Sequence, residues 1–132
     1  MTASKQMVQT KPLKKAIVLV VEDEPLLRLM AVDMVEEAGF EAIEAANADE
    51  AVHILETRGD IRIVFTDIDM PGSMDGMMLA AAVRDRWPPI EIVIVSGYRR
   101  RDDIELPHRS VFFSKPYDPA VVTATLQRLA AA

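Results

Sequence analysis

The chain has 132 residues, of which 15 are Lys or Arg, 21 are Asp or Glu and none is Cys, giving a net charge of −6 with half the residues apolar. That length suits one domain with a conventional core, and the lack of Cys excludes disulfides, thiolate catalysis and Cys-ligated metal while fitting a reducing, cytoplasmic setting. The longest wholly apolar run, Met77 to Val83, falls far short of the roughly 20 residues that cross a bilayer, and no signal-peptide pattern opens the chain.

The charge is uneven. Residues 1–15 carry Lys5, Lys11, Lys14 and Lys15 and no acid, whereas the remainder has 11 basic against 21 acidic side chains, a net of −10. Residues 1–14 are therefore expected to be a flexible basic tail and residues 15–132 the folded domain. An acidic body argues against binding the phosphate backbone of nucleic acid, which calls for a clustered basic face.

Taken in chain order, Ala16 to Val21 (AIVLVV) is an unbroken, β-branched apolar run, the pattern of a strand covered on both faces. Pro25 to Ala38 predicts a helix with a stripe of Leu27, Met30, Ala31, Met34 and Ala38, stopped by Gly39. Glu41 to Ala45 (EAIEA) alternates like an edge strand with one wet face. Asn47 with Glu50 resembles a capping box that opens a helix to about Arg58. Ile61 to Thr66 reads as a second covered strand, and Asp75-Gly76 precedes a helix over Met77 to Trp87, ended by Pro88-Pro89. Ile90 to Ser96 is a further covered strand. The polar stretch after it predicts one short helix near Arg101 to Leu106. Ser110 to Phe113 reads as a last covered strand, and Asp118-Pro119 supplies an N-cap and a first-turn Pro for a helix to about Ala130.

A β-then-α unit repeated five times implies an α/β fold, a doubly wound parallel sheet with helices on both faces. Ligands in such folds bind outside the carboxyl ends of the strands. Those ends carry Glu22-Asp23-Glu24, Thr66-Asp67-Ile68-Asp69, Ser96-Gly97 and Ser114-Lys115-Pro116. Any one of these is an ordinary turn former or solvated charge. Together they bring several carboxylates, a hydroxyl and an amine to one rim. Crowded carboxylates repel, and Mg²⁺, a hard cation that favours one or two carboxylates plus a phosphate, relieves that repulsion. A carboxylate so placed can attack a phosphoryl group and become an acyl phosphate, with the metal and a Lys neutralising the equatorial oxygens. The body has ten Arg and a single Lys, Lys115. A compact point charge on a flexible stem suits that task better than a fixed fork.

The segments VLVVEDEP (18–25), VFTDIDMPGSMDG (64–76), VIVSGY (93–98) and FFSKPYD (112–118) resemble, in order and spacing, the receiver domain of two-component response regulators. The resemblance covers about residues 15 to 131. It implies a flavodoxin-like five-stranded sheet of order 2-1-3-4-5, phosphorylated by a sensor histidine kinase or histidine phosphotransfer protein and dependent on Mg²⁺. Matched position by position, Asp67 is the phosphoacceptor, and Glu22 and Asp23 are the acidic metal-binding pair. The Asp69 backbone carbonyl is a further ligand, with Asp67 itself in the metal set. Ser96 is the switch hydroxyl, Lys115 the motif lysine, and Phe112 the aromatic residue that turns inward on activation. The implied protein is a signalling domain rather than an enzyme, at most phosphorylating and dephosphorylating itself; it is expected to act through protein contacts, as a stand-alone receiver or as one cut from a longer protein.

Four features depart from the family pattern. Glu22 stands where Asp is commoner, its length suiting contact with a metal through water. Ser73 is inserted beside the acceptor loop. The 19 positions from Ser96 to Lys115 imply a truncated fourth helix and an altered output face. Phe112 lacks the hydroxyl of the commoner Tyr. Two alternatives stand beside this reading. One is a haloacid-dehalogenase-type phosphatase using Asp67 and Asp69 of the DxD, although only Asp118 follows the Lys where that family places further metal-binding acids. The other is a pseudo-receiver that binds partners but is never phosphorylated. His53 and His108 have no metal-ligand partner nearby in sequence, the eight Met read as core and loop filler, and Arg99-Arg100-Arg101 as a solvated run able to steer an acidic partner.

Overall fold

The computed structural model of the protein describes residues 14–72 and 74–132, so the expected tail up to residue 13 and the inserted Ser73 lie outside the described residues. Among those described, the chain runs β1 (Ile17–Val21), α1 (Pro25–Glu37), β2 (Glu41–Ala45), α2 (Ala48–Thr57), β3 (Ile61–Asp67), α3 (Gly76–Arg86), β4 (Glu91–Ser96), β5 (Ser110–Ser114) and α4 (Pro119–Ala131). The strands pair in parallel in the order β2-β1-β3-β4-β5. This is the flavodoxin-like arrangement expected from the βα alternation and the resemblance.

The apolar runs become central strands because both of their faces are covered. Every residue of β1 is buried, and the two-residue period of a strand splits them between two cores. Ile17, Leu19 and Val21 pack with Ala51 and Leu55 of α2 and Leu79 and Val83 of α3. Val18 and Val20 pack with Val32 and Val35 of α1 and Val122 and Leu126 of α4. Edge strand β2 was expected to alternate with one wet face, but Glu41 and Glu44, which the two-residue period puts on opposite faces, are both exposed.

Helix ends follow their local chemistry. Asn47 accepts the Glu50 N–H at 2.8 Å, while the Glu50 carboxylate reaches back to the Ala46 N–H at 2.7 Å, a capping box with its return bond one residue early. Asp75 and Asp118 cap α3 and α4 through the N–H groups of Met78 and Ala120. Gly39, at φ +101°, ends α1 in the left-handed conformation that glycine adopts without a Cβ clash.

Three further expectations need correction. The buried face of α1 is Ala31, Val32 and Val35, while Leu27 and Met30 are 38% and 58% exposed. PLLRLMAVDMV is apolar on most sides, so its pattern singles out no one face and the sheet selects it. The fourth helix, expected near Arg101 to Leu106, is a single 3-10 turn at Arg101–Asp103. Its charged sequence has no helix-long apolar stripe, and Ile104 and Leu106 pack individually on the α2–α3 core. As a result β5, expected to be covered on both faces, is half-buried from Ser110 to Phe113.

Arg84 takes over part of the missing helix's bracing. Its guanidinium donates to the carbonyls of Pro88 and His108 at 2.6 Å, Ile90 at 2.9 Å and Arg109 at 3.2 Å, tying α3 to the starts of β4 and β5. Arg109, with φ +58°, pairs with the buried Glu91 carboxylate.

Candidate functional site

Parallel register delivers the chemistry to one rim. Val21 stands beside Thr66, Asp67 beside Val95, and Ser96 beside Ser114. The residues at or just past those positions, Glu22, Asp23, Asp67, Ser96 and Lys115, therefore emerge together.

Asp67 is the last residue of the central strand β3 and is 5% exposed. Its Oδ2 accepts a hydrogen bond from Lys115 Nζ at 2.6 Å, and its Oδ1 accepts the Asp69 backbone N–H at 3.0 Å. Lys115 Nζ also lies 3.5 Å from Glu22 Oε1, while Glu22 Oε2 accepts the Glu24 N–H at 3.1 Å. One carboxylate oxygen each from Glu22, Asp23 and Asp67 lies within 4.8 Å of the other two. The Lys115–Pro116 peptide bond is cis.

The electrostatics follow from burial and crowding. Burial raises the Glu22 carboxyl to about 7, with the Asp67 charge adding to the rise and the Glu24 N–H and Lys115 opposing it. Burial also works against the Lys115 ammonium, but its hydrogen bond to Asp67 and the charges of Asp67 and Glu22 outweigh that and hold it above its usual range. Three convergent carboxylates against one amine leave the cluster short of positive charge. Hard oxygen donors in that arrangement fit Mg²⁺.

Beneath the acceptor the backbone packs without slack. A Cβ on Gly76 would sit 2.0 Å from the Asp67 carbonyl oxygen and 2.7 Å from Ile68 Cα. Only glycine lets α3 start here, with the Gly76 N–H donating to Ile68 O at 3.0 Å. The Asp-Gly read as a helix start is thus also a spacing requirement under Asp67, and no sequence pattern announces that.

Ser96 is fully buried, and its hydroxyl is engaged with groups other than the Asp67 carboxylate. It donates to Asp69 Oδ2 at 2.8 Å and accepts the N–H groups of Tyr98 and Arg99 at 3.2 and 3.0 Å. Phe112 is half-buried against the α2–α3 core. The contact between the Asp69 side chain and Ser96 is not legible in the sequence, where the receiver resemblance gives Asp69 only a backbone role. The i, i+2 spacing of Asp67 and Asp69 at a strand end is the signal that both side chains address one side. Tyr117 was also missed. It packs edge-on to Phe65 with ring centroids 6.1 Å apart. With Leu27, Met30 and Pro119 it lines a cavity of about 250 Å³ that reaches Asp67 and Lys115. Among the described residues, no helix is long and apolar enough to cross a membrane.

The family model of the response regulator receiver domain matches residues 18–127. Sensor kinase CckA of Brucella abortus (strain 2308) is 40% identical over 84 residues, 63% of this chain but 9% of that much longer protein. The crystal structure of a response regulator receiver protein from Sinorhizobium medicae WSM419 superposes with a TM-score of 0.81 at 26% identity, covering 89% of this chain and 96% of that one. The response regulator TrrA of Thermotoga maritima, solved in complex with Mg(2+)-BeF, gives 0.73 at 28% identity over 89% and 99% of the two chains. These matches decide against the dehalogenase-type phosphatase.

Proposed function

The chain belongs to the response regulator receiver domain family of two-component signalling, and we propose that Asp67 is its phosphoacceptor. The donor would be a phosphohistidine on a sensor histidine kinase or a histidine phosphotransfer protein, in the cytoplasm. The observation that carries this reading is the placement of the Asp67 carboxylate at the end of the central strand, 2.6 Å from Lys115 Nζ and grouped with Glu22 and Asp23. An Asp67 carboxylate oxygen forms the new P–O bond as the donor's P–N bond breaks, and the electron pair leaves with the imidazole nitrogen.

Lys115 is already hydrogen-bonded to Asp67, so it can follow the charge as it moves onto the phosphoryl oxygens. Glu22, Asp23, Asp67 and the Asp69 backbone carbonyl would hold Mg²⁺. Bound there, the ion would neutralise charge on the transferring group. The modified side chain carries about −1.5 to −2 instead of −1 and offers new acceptor oxygens, which Ser96 then joins while Phe112 turns inward. Leu27 and Met30 of α1, 38% and 58% exposed, line the cavity that reaches Asp67 and suit contact with a donor protein. TrrA, the relative solved with Mg(2+)-BeF, supports the metal assignment by analogy.

The test is treatment with acetyl phosphate, with and without Mg²⁺, read by intact mass. Wild type should gain one phosphoryl group only with Mg²⁺, and Asp67→Asn should gain none. A wild type that stays unmodified would make the domain a pseudo-receiver. Glu22→Ala should require more Mg²⁺ for the same yield if that carboxylate serves the ion.

A further inference from the structure

We propose that the Asp69 side chain is a latch that holds the receiver in its unphosphorylated state by occupying the one proton of Ser96. This deepens the phosphoacceptor reading and depends on it. The Ser96 hydroxyl is fully buried and completely used: it donates to Asp69 Oδ2 at 2.8 Å and accepts from the backbone N–H groups of Tyr98 and Arg99. A serine hydroxyl has a single proton to donate. Ser96 can therefore bond Asp69 or a phosphoryl oxygen on Asp67, but not both.

The exchange is coupled through the backbone as well. The Asp69 N–H donates to Asp67 Oδ1 at 3.0 Å, so the acceptor and the latch belong to one short connection between β3 and α3. When the hydroxyl turns to the phosphoryl group, the Asp69 carboxylate loses its donor and is left facing added negative charge. Asp69 is thus a positioning residue, acting on the switch through Ser96. It sets the equilibrium between the two states and, with it, how readily the modified state forms.

The bond is charge-assisted, and removing it should favour the modified state by about tenfold. Beryllofluoride, a phosphoryl mimic, can be titrated with Mg²⁺ into wild type, Asp69→Ala, Ser96→Ala and the double variant. Loss of a nearby negative charge will tighten anion binding in either background. The latch is the excess: Asp69→Ala should tighten binding about tenfold more when Ser96 is present than when it is Ala. Asp69→Asn, which keeps an acceptor oxygen but not the charge, should fall between the two. In the metal-free protein, Asp69→Ala should also move the Tyr98 and Arg99 amide resonances, which report the Ser96 oxygen directly. An equal factor in both Ser96 backgrounds, or unmoved Tyr98 and Arg99 amides, overturns the latch and leaves the phosphoacceptor reading standing. A wild type that binds no beryllofluoride overturns both.

Discussion

Glu22 is where the cost of assembling this site is concentrated. Its carboxyl is raised from 4.5 to about 7, chiefly by burial, so the folded protein holds a proton that the unfolded chain releases over that interval. The stability this contributes is complete below pH 4.5 and is lost as pH rises through about 7. Urea midpoints of the metal-free protein at pH 5 and pH 8 should show the fall, and Glu22→Gln should flatten it. Mg²⁺ at pH 8 should restore stability, because it favours the ionised form. Gly76→Ala should cost at least roughly 1–3 kcal/mol in urea unfolding, because the new Cβ meets backbone of Asp67 and Ile68 rather than a side chain that could move. Lys115→Met should fold yet slow phosphorylation by acetyl phosphate roughly 10²-fold, the scale on which one charge-stabilising donor acts. Of these residues, Asp67, Asp23 and Lys115 were legible because parallel strands send their carboxyl ends to one rim. The Glu22 burial, the Gly76 contact and the Asp69–Ser96 bond were not, since each depends on distances between segments that sequence spacing leaves open.

At the level of elements, the β4–β5 connection separates this chain from a complete five-fold βα repeat. The short interval between Ser96 and Lys115 announced a shortened helix, but not that only a 3-10 turn would remain. Helix nucleation costs several ordered residues before it returns a hydrogen bond, and RRRDDIELP has no apolar stripe to repay that through packing. The Arg84 guanidinium does the bracing instead, through four carbonyls of the α3–β4 and β4–β5 connections. Arg84→Ala should lower stability by about 2 kcal/mol, and amide exchange should accelerate across residues 97–110 while the β1 and β3 amides keep their protection. Uniform acceleration across the sheet would mean that Arg84 supports the whole fold instead. The misread stripe of α1 has a related cause: a helix apolar on most sides takes its buried face from the sheet it docks on. Its surplus apolar residues remain exposed, Leu27 and Met30 among them in the cavity that reaches the acceptor.

Across the whole molecule, the fold class was readable because the largely apolar runs of β1, β3 and β4 alternate with helical patterns, while the strand order came from the family resemblance. A parallel sheet covered on both faces by the intervening helices accommodates that. The charge balance reads differently once the fold is known. A body of net −10 is acidic over its surface, but Glu22, Asp23 and Asp67 gather at one rim with Lys115, the single lysine of the body. On the proposed chemistry, a phosphoryl group is carried by Asp67 and by no neighbouring carboxylate. Borohydride reduces an aspartyl phosphate to homoserine, so reduction after acetyl phosphate and Mg²⁺ treatment, followed by peptide mass analysis, locates the bond. Homoserine at position 67 alone is the expected result; homoserine at 23 or 69 with Asp67 intact would place the phosphoryl group on another carboxylate and overturn the assignment of Asp67.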